Sequence, residues 1–159
     1  MPALTDFQST TMVHRTGDVF NPPGLTNFLG CLQAAPGLMA VQHLTFAPYS
    51  QGDTWIGTLT LNDCCLHTSG LPIQYIWRPD RIDRHMHVDG FDLHTRTVMG
   101  VQKQSVTIAL RIKNTASVQQ TARLNIQTGD GVIHSLEGWK TPYSPKEGPA
   151  ISVTPWEGT

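Results

Sequence analysis

A chain of 159 residues is one domain's worth, and a domain of that size hides about 70% of the surface its unfolded chain exposes, enough for a core without staples. Charged residues are 14% of the chain, the formal net charge is −1 and the eleven basic residues are scattered, which excludes the electrostatic footprint of a nucleic-acid or anionic-membrane binder. Three cysteines, two of them adjacent at Cys64 and Cys65, cannot complete a set of internal disulfides, and without a leader-like segment or an apolar run of ~20 residues the expectation is reduced thiols in a cytoplasmic protein.

Residues 1–24 carry Gly17-Asp18 and Asn21-Pro22-Pro23-Gly24, too much punctuation for a helix, with room for a short edge strand over Met12 to Arg15. From Leu25 to Leu32 the run is short and apolar, so periodicity leaves helical turn and strand both open. Leu38 to Phe46 reads as a strand. In Trp55 to Leu61, Trp55, Gly57, Leu59 and Leu61 share one face and Ile56, Thr58 and Thr60 the other, which predicts a strand ending at Asn62-Asp63. Ile73 to Arg78 is an aromatic-rich strand that Pro79-Asp80 stops, because proline cannot donate to a ladder.

The middle of the chain carries the clearest pattern. Phe91, Leu93, Thr95, Thr97 and Met99 face one way while Asp92, His94 and Arg96 face the other, and Val106, Ile108, Leu110 and Ile112 alternate with polar neighbours in the same manner. A polar break from Asn114 to Ser117 separates that strand from a further one through Ala122, Leu124 and Ile126. Residues 128–131 have hairpin-turn composition, with Val132 to Leu136 as the return strand. No apolar stripe of helical period appears. The expectation is an all-β protein, an antiparallel β-sandwich of about eight to ten short strands over residues 1–139, followed by a loop- or linker-like tail over 140–159.

Three groups of side chains could carry chemistry. His85 and His87 project from one face of a strand and His94 follows just beyond Asp89-Gly90, a spacing that suits metal ligation of the cupin-like kind; the competing reading is a solvated polar face shared with Asp83 and Arg84. Paired carboxylates for glycoside hydrolysis are not evident, because the only glutamates are Glu137, Glu147 and Glu157 and most aspartates occupy turn sequence. The aromatic residues Trp139, Tyr143 and Trp156 sit near loops and could stack on sugar rings, whereas Trp55, Tyr75 and Trp77 occupy strand positions that pack between sheets. The cysteines read as small apolar fillers.

The series Trp77-Arg78-Pro79, Asp89 to Thr97 and Val106 to Asn114, in that order, resembles the amino-terminal β-sandwich that precedes the (α/α)6-barrel catalytic domain in glucoamylase-like, debranching-like and processing α-glucosidase-like glycoside hydrolases. The similarity spans residues 38 to 138. It implies a non-catalytic accessory domain of an enzyme acting on α-glucosides, packed on a catalytic (α/α)6 domain in the same or a partner chain. The acids of such enzymes belong to the barrel, so no catalytic residue carries over to this chain and no cofactor is expected. Two alternatives stand beside it: an autonomous carbohydrate-binding module that holds an oligosaccharide through Trp139, Tyr143 and Trp156, and a small metal-dependent barrel built on His85, His87 and His94.

Overall fold

The computed structural model describes residues 9–18, 21–46, 49–51, 56–128 and 132–134 of the chain. Among them all regular structure is strand except one turn of 3-10 helix at Leu66–Thr68, and no helix is long and apolar enough to cross a membrane. The protein is all-β, as the alternation requires. One sheet has five strands in the order β1 (Thr10–Arg15), β8 (Pro72–Arg78), β9 (Arg81–Val88), β10 (Phe91–Met99) and β11 (Val106–Asn114). The other runs β12 (Leu124–Thr128), β6 (Ile56–Leu61), β4 (Val41–Phe46), β3 (Gly30–Ala34) and β2 (Leu25–Thr26). Three short strands complete it: β7 (Cys64–Cys65) pairs with β6, and β5 (Tyr49–Gln51) lies between β4 and β13 (Val132–His134). Every pairing is antiparallel.

These thirteen strands exceed the expected eight to ten because the second sheet is broken into pieces of two or three residues. The ambiguous run from Leu25 to Leu32 is a tight β2–β3 hairpin. The strand expected from Leu38 begins only at Val41, since Gly37 to Ala40 form a loop whose carbonyls serve a different purpose, described below. The expected edge strand near Met12 is β1, at the rim of the five-stranded sheet.

Two-residue loops set the register of the β6–β7 and β9–β10 pairs. Leu61 pairs with Cys64 across Asn62-Asp63, both at positive φ, and Val88 pairs with Phe91 across Asp89-Gly90, again both at positive φ. Such type I′ geometry matches the right-handed twist of the flanking strands, and Asn, Asp and Gly tolerate it best. At the other end of the second sheet the register slips: Gln127 faces Thr58 but Thr128 faces Ile56, so Gly57 is passed over as a bulge at φ 85°. A side chain there would meet the Met39 carbonyl oxygen at 2.7 Å, which is why glycine occupies it.

One connection crosses the sandwich, and the next differs from the sequence expectation. The polar stretch after Asn114 does not fold β12 back on β11; it carries the chain from one sheet to the other. Nor do β12 and β13 pair as the expected hairpin, because β12 pairs with β6 and β13 with β5. The last described strand therefore finds its partner about 80 residues upstream, a choice made by tertiary packing and not by turn composition.

The sheets face each other over two apolar clusters. One joins Leu38, Leu59, Leu61 and Leu66 to Ile73, Met86, Val88, Phe91 and Leu93. The other joins Leu25, Leu32, Ala34 and Val41 to Tyr75 and Ile82, with Trp77, Met99 and Ile108 packed on it. Tyr75 and Trp77 thus lie between the sheets as expected, their polar ends satisfied by the Pro23 carbonyl at 2.7 Å and the Gly24 carbonyl at 2.8 Å. At roughly 25 cal/mol per Å² of apolar surface removed from water, these clusters dominate the driving force for folding. All three cysteines are free thiols; Cys64 packs against the first cluster, but Cys31 is exposed on β3 and fills nothing.

Candidate functional site

Strand alternation turns Asp83, His85 and His87 of β9 to the outer face of the five-stranded sheet, beside Asp92, His94 and Arg96 of β10 and Arg111 and Lys113 of β11. The pairing register fixes the rows: His85, His94 and Arg111 lie side by side, as do His87, Asp92 and Lys113, and likewise Asp83 and Arg96. Directly paired side chains stand about 4.5–5.5 Å apart at Cβ, so each row is a contact row.

Two carboxylates organise the face. Asp83, almost wholly buried, accepts from Arg96 Nε at 2.7 Å and Arg81 Nε at 2.9 Å, with His94 Nε2 at 3.4 Å. Burial alone would raise its pKa; the hydrogen bonds from Arg96 and Arg81 outweigh that and hold the carboxyl below the usual range. Asp92 accepts from His87 Nδ1 at 2.9 Å and lies 3.8 Å from His85 Nε2. That hydrogen bond from His87 keeps Asp92 ionised to lower pH than an ordinary aspartate. The three predicted histidines are therefore brought to one face. Their rings turn toward Asp83 and Asp92 and do not converge: among the described residues no group of three or more His, Cys, Asp or Glu side chains is arranged to hold a metal ion.

Arg84 does not belong to this face. It is fully buried on the inner side of β9, where Nη1 donates to the Leu38 carbonyl at 3.1 Å and to Thr97 Oγ1 at 3.2 Å, and Nη2 to the Ala40 carbonyl at 3.1 Å. Its guanidinium lies 5.4 Å from the Tyr75 ring centroid, within cation–π range. Burial pulls the guanidinium down to about 10 against the opposing effect of the Tyr75 phenol, and burial pushes that phenol up to about 12. Among the described residues no carboxylate pairs with Arg84, and its Nε has no hydrogen-bond partner. The sequence signal was present: Ile82, Arg84, Met86 and Val88 share one alternation phase, so Arg84 stands in an apolar series.

A second surface, which sequence reasoning missed, lies at the end of the sandwich where the β2–β3, β8–β9 and β10–β11 turns meet. Asn27 builds it. Its Oδ1 accepts from the amides of Leu29 and Gly30, both at 2.8 Å, and its Nδ2 donates to the Gly100 carbonyl at 2.7 Å, tying the tip of one sheet to the tip of the other. The turn so fixed throws Phe28 outward, fully solvated at 103% relative exposure, next to Val101 at 81%. Between them runs a groove of about 460 Å³ lined by Leu25, Phe28, Pro79, Met99 and Val101, with Asp80 at its margin. Little in the sequence hinted at it, since Phe28 belongs to the short apolar run from Leu25 to Leu32, which reads equally as core-facing.

Trp139, Tyr143 and Trp156, the candidate sugar-stacking residues, lie outside the described residues, as do Trp55, the three glutamates and the tail over 140–159. No protein-family model, curated protein or solved structure matches the chain.

Proposed function

We propose that this chain is a non-catalytic, cytoplasmic β-sandwich module that docks, through its apolar end, on the (α/α)6 catalytic barrel of a glycoside hydrolase acting on α-glucosides. The observation that carries the reading is the pinned, solvated Phe28 beside Val101. A fully solvated aromatic gains nothing for the isolated fold, and beside a second exposed apolar side chain it has the character of an interface anchor. Within the Trp77-Arg78-Pro79 element that carries the resemblance, Trp77 bonds the Gly24 carbonyl and Pro79 lines the groove. The free thiols agree with a reducing compartment.

The test is docking in trans. The chain alone should release no glucose from maltooligosaccharides or starch. It should bind the separately produced barrel encoded with it, and Phe28→Asp combined with Val101→Asp should weaken that binding at least tenfold, as loss of a central apolar anchor does. Hydrolysis by the chain alone, or a double variant that docks as well as the parent, would remove the reading. Heat of binding to maltooligosaccharides that disappears in Trp139→Ala, Tyr143→Ala and Trp156→Ala variants would instead favour the autonomous carbohydrate-binding module.

A further inference from the structure

The outer face of the five-stranded sheet holds a basin distinct from the docking end. It has a volume of about 220 Å³ and is lined by His85, Asp92, His94, Arg111 and Lys113. That is smaller than the roughly 300–1,000 Å³ of sites for drug-sized ligands, so it suits a small group.

The charge of the basin follows from its partners. Asp83 next to it is already met by Arg81 and Arg96. Asp92 takes the hydrogen bond of His87 and feels Lys113 only through space. Among the described residues, neither Arg111 nor Lys113 has a carboxylate within ion-pair distance. Two fixed cations against one engaged carboxylate leave the basin net positive. Metal ions would be repelled by Arg111 and Lys113; an anion would not.

We propose that this basin binds a phosphate group, with Arg111 supplying the planar fork that matches two phosphate oxygens and Lys113 a point charge, while His85 and His94 form part of its wall. The edge position of β11 makes both cations accessible from solvent. Asp92 shares the basin with the two cations, and its carboxylate is engaged by His87.

Calorimetric titration of the whole chain tests it, with three probes: inorganic phosphate, glycerol 3-phosphate, and phosphatidylcholine vesicles containing phosphatidic acid. Saturable binding is expected, weakened about tenfold or more in Arg111→Ala and in Lys113→Ala, less in Arg111→Lys, and unchanged in Lys103→Ala, which lies in the β10–β11 connection away from the basin. Arg111 and Lys113 are exposed, so their variants should keep the parent circular dichroism and unfolding midpoint. Response to the soluble probes assigns a free phosphate or phosphomonoester, and response to vesicles alone assigns a lipid headgroup; both support the site. No saturable binding of any probe, or binding equal in parent and both alanine variants, overturns it.

Discussion

Arg84 is a cation enclosed by an apolar core with carbonyls for company and no counter-charge among the described residues. Moving a charge out of water costs several kcal/mol even after relaxation, so such a group stabilises only if its absence would leave something worse. The acceptors say otherwise. The Leu38 carbonyl also takes the Thr95 hydroxyl at 2.6 Å, and the Ala40 carbonyl also takes the Ala35 amide at 3.1 Å. Removing the guanidinium therefore orphans neither carbonyl; the Thr97 hydroxyl loses a donor, and the larger loss is volume. Arg84→Met should cost less than about 1.5 kcal/mol or even stabilise, while Arg84→Ala should cost about 2–5 kcal/mol through the cavity it leaves. Urea midpoints at unchanged slope read the difference, and equal large losses in both variants would mean that the charge itself is needed. The inward phase of Arg84 was legible from its alternation with Ile82 and Met86. Its acceptors were not, because they come from a loop more than forty residues away.

At the scale of single elements, the β9–β10 hairpin shows what local sequence can and cannot specify. Its loop was readable, since Asp89-Gly90 encodes the type I′ conformation in the two residues themselves, and the same holds for Asn62-Asp63. The composition of residues 128–131 was equally turn-like and misled, because β13 answers to β5. The hairpin is fastened across its outer face by Asp83 of β9, which holds Arg96 of β10. A carboxyl whose folded pKa lies below its unfolded value of about 3.9 contributes fully above that value and loses its contribution as pH falls through the folded pKa. Asp83→Asn should therefore destabilise by roughly 1.5–3 kcal/mol at neutral pH. It should differ progressively less from the parent between about pH 5 and pH 2, as the parent's own advantage is titrated away. Chemical denaturation across that range measures it; a constant gap between the two proteins would deny Asp83 this role.

For the whole molecule, alternation in the central strands was enough to predict two facing sheets, because period-two burial permits little else. It could not predict which sheet each strand joins: β11 and β12 are neighbours in sequence and lie in opposite sheets. It put His85 and His87 on one face but could not supply the logic of that face, since that depends on cross-strand rows that bring Arg111 and Lys113 beside His94 and Asp92. The folded chain thus separates two kinds of surface, an apolar end around Phe28 and a cationic basin on one sheet face, and physics assigns them opposite responses to salt. Screening shortens from about 10 Å at 0.1 M ionic strength to about 3 Å at 1 M, which weakens contacts between exposed charges, while burial of apolar area does not depend on fixed charge. Titrations across that range should find phosphate binding falling steeply with sodium chloride and barrel docking nearly level. Parallel salt dependence in both would mean that the same surface serves both ligands, and the division between Phe28 and Arg111 would have to be abandoned.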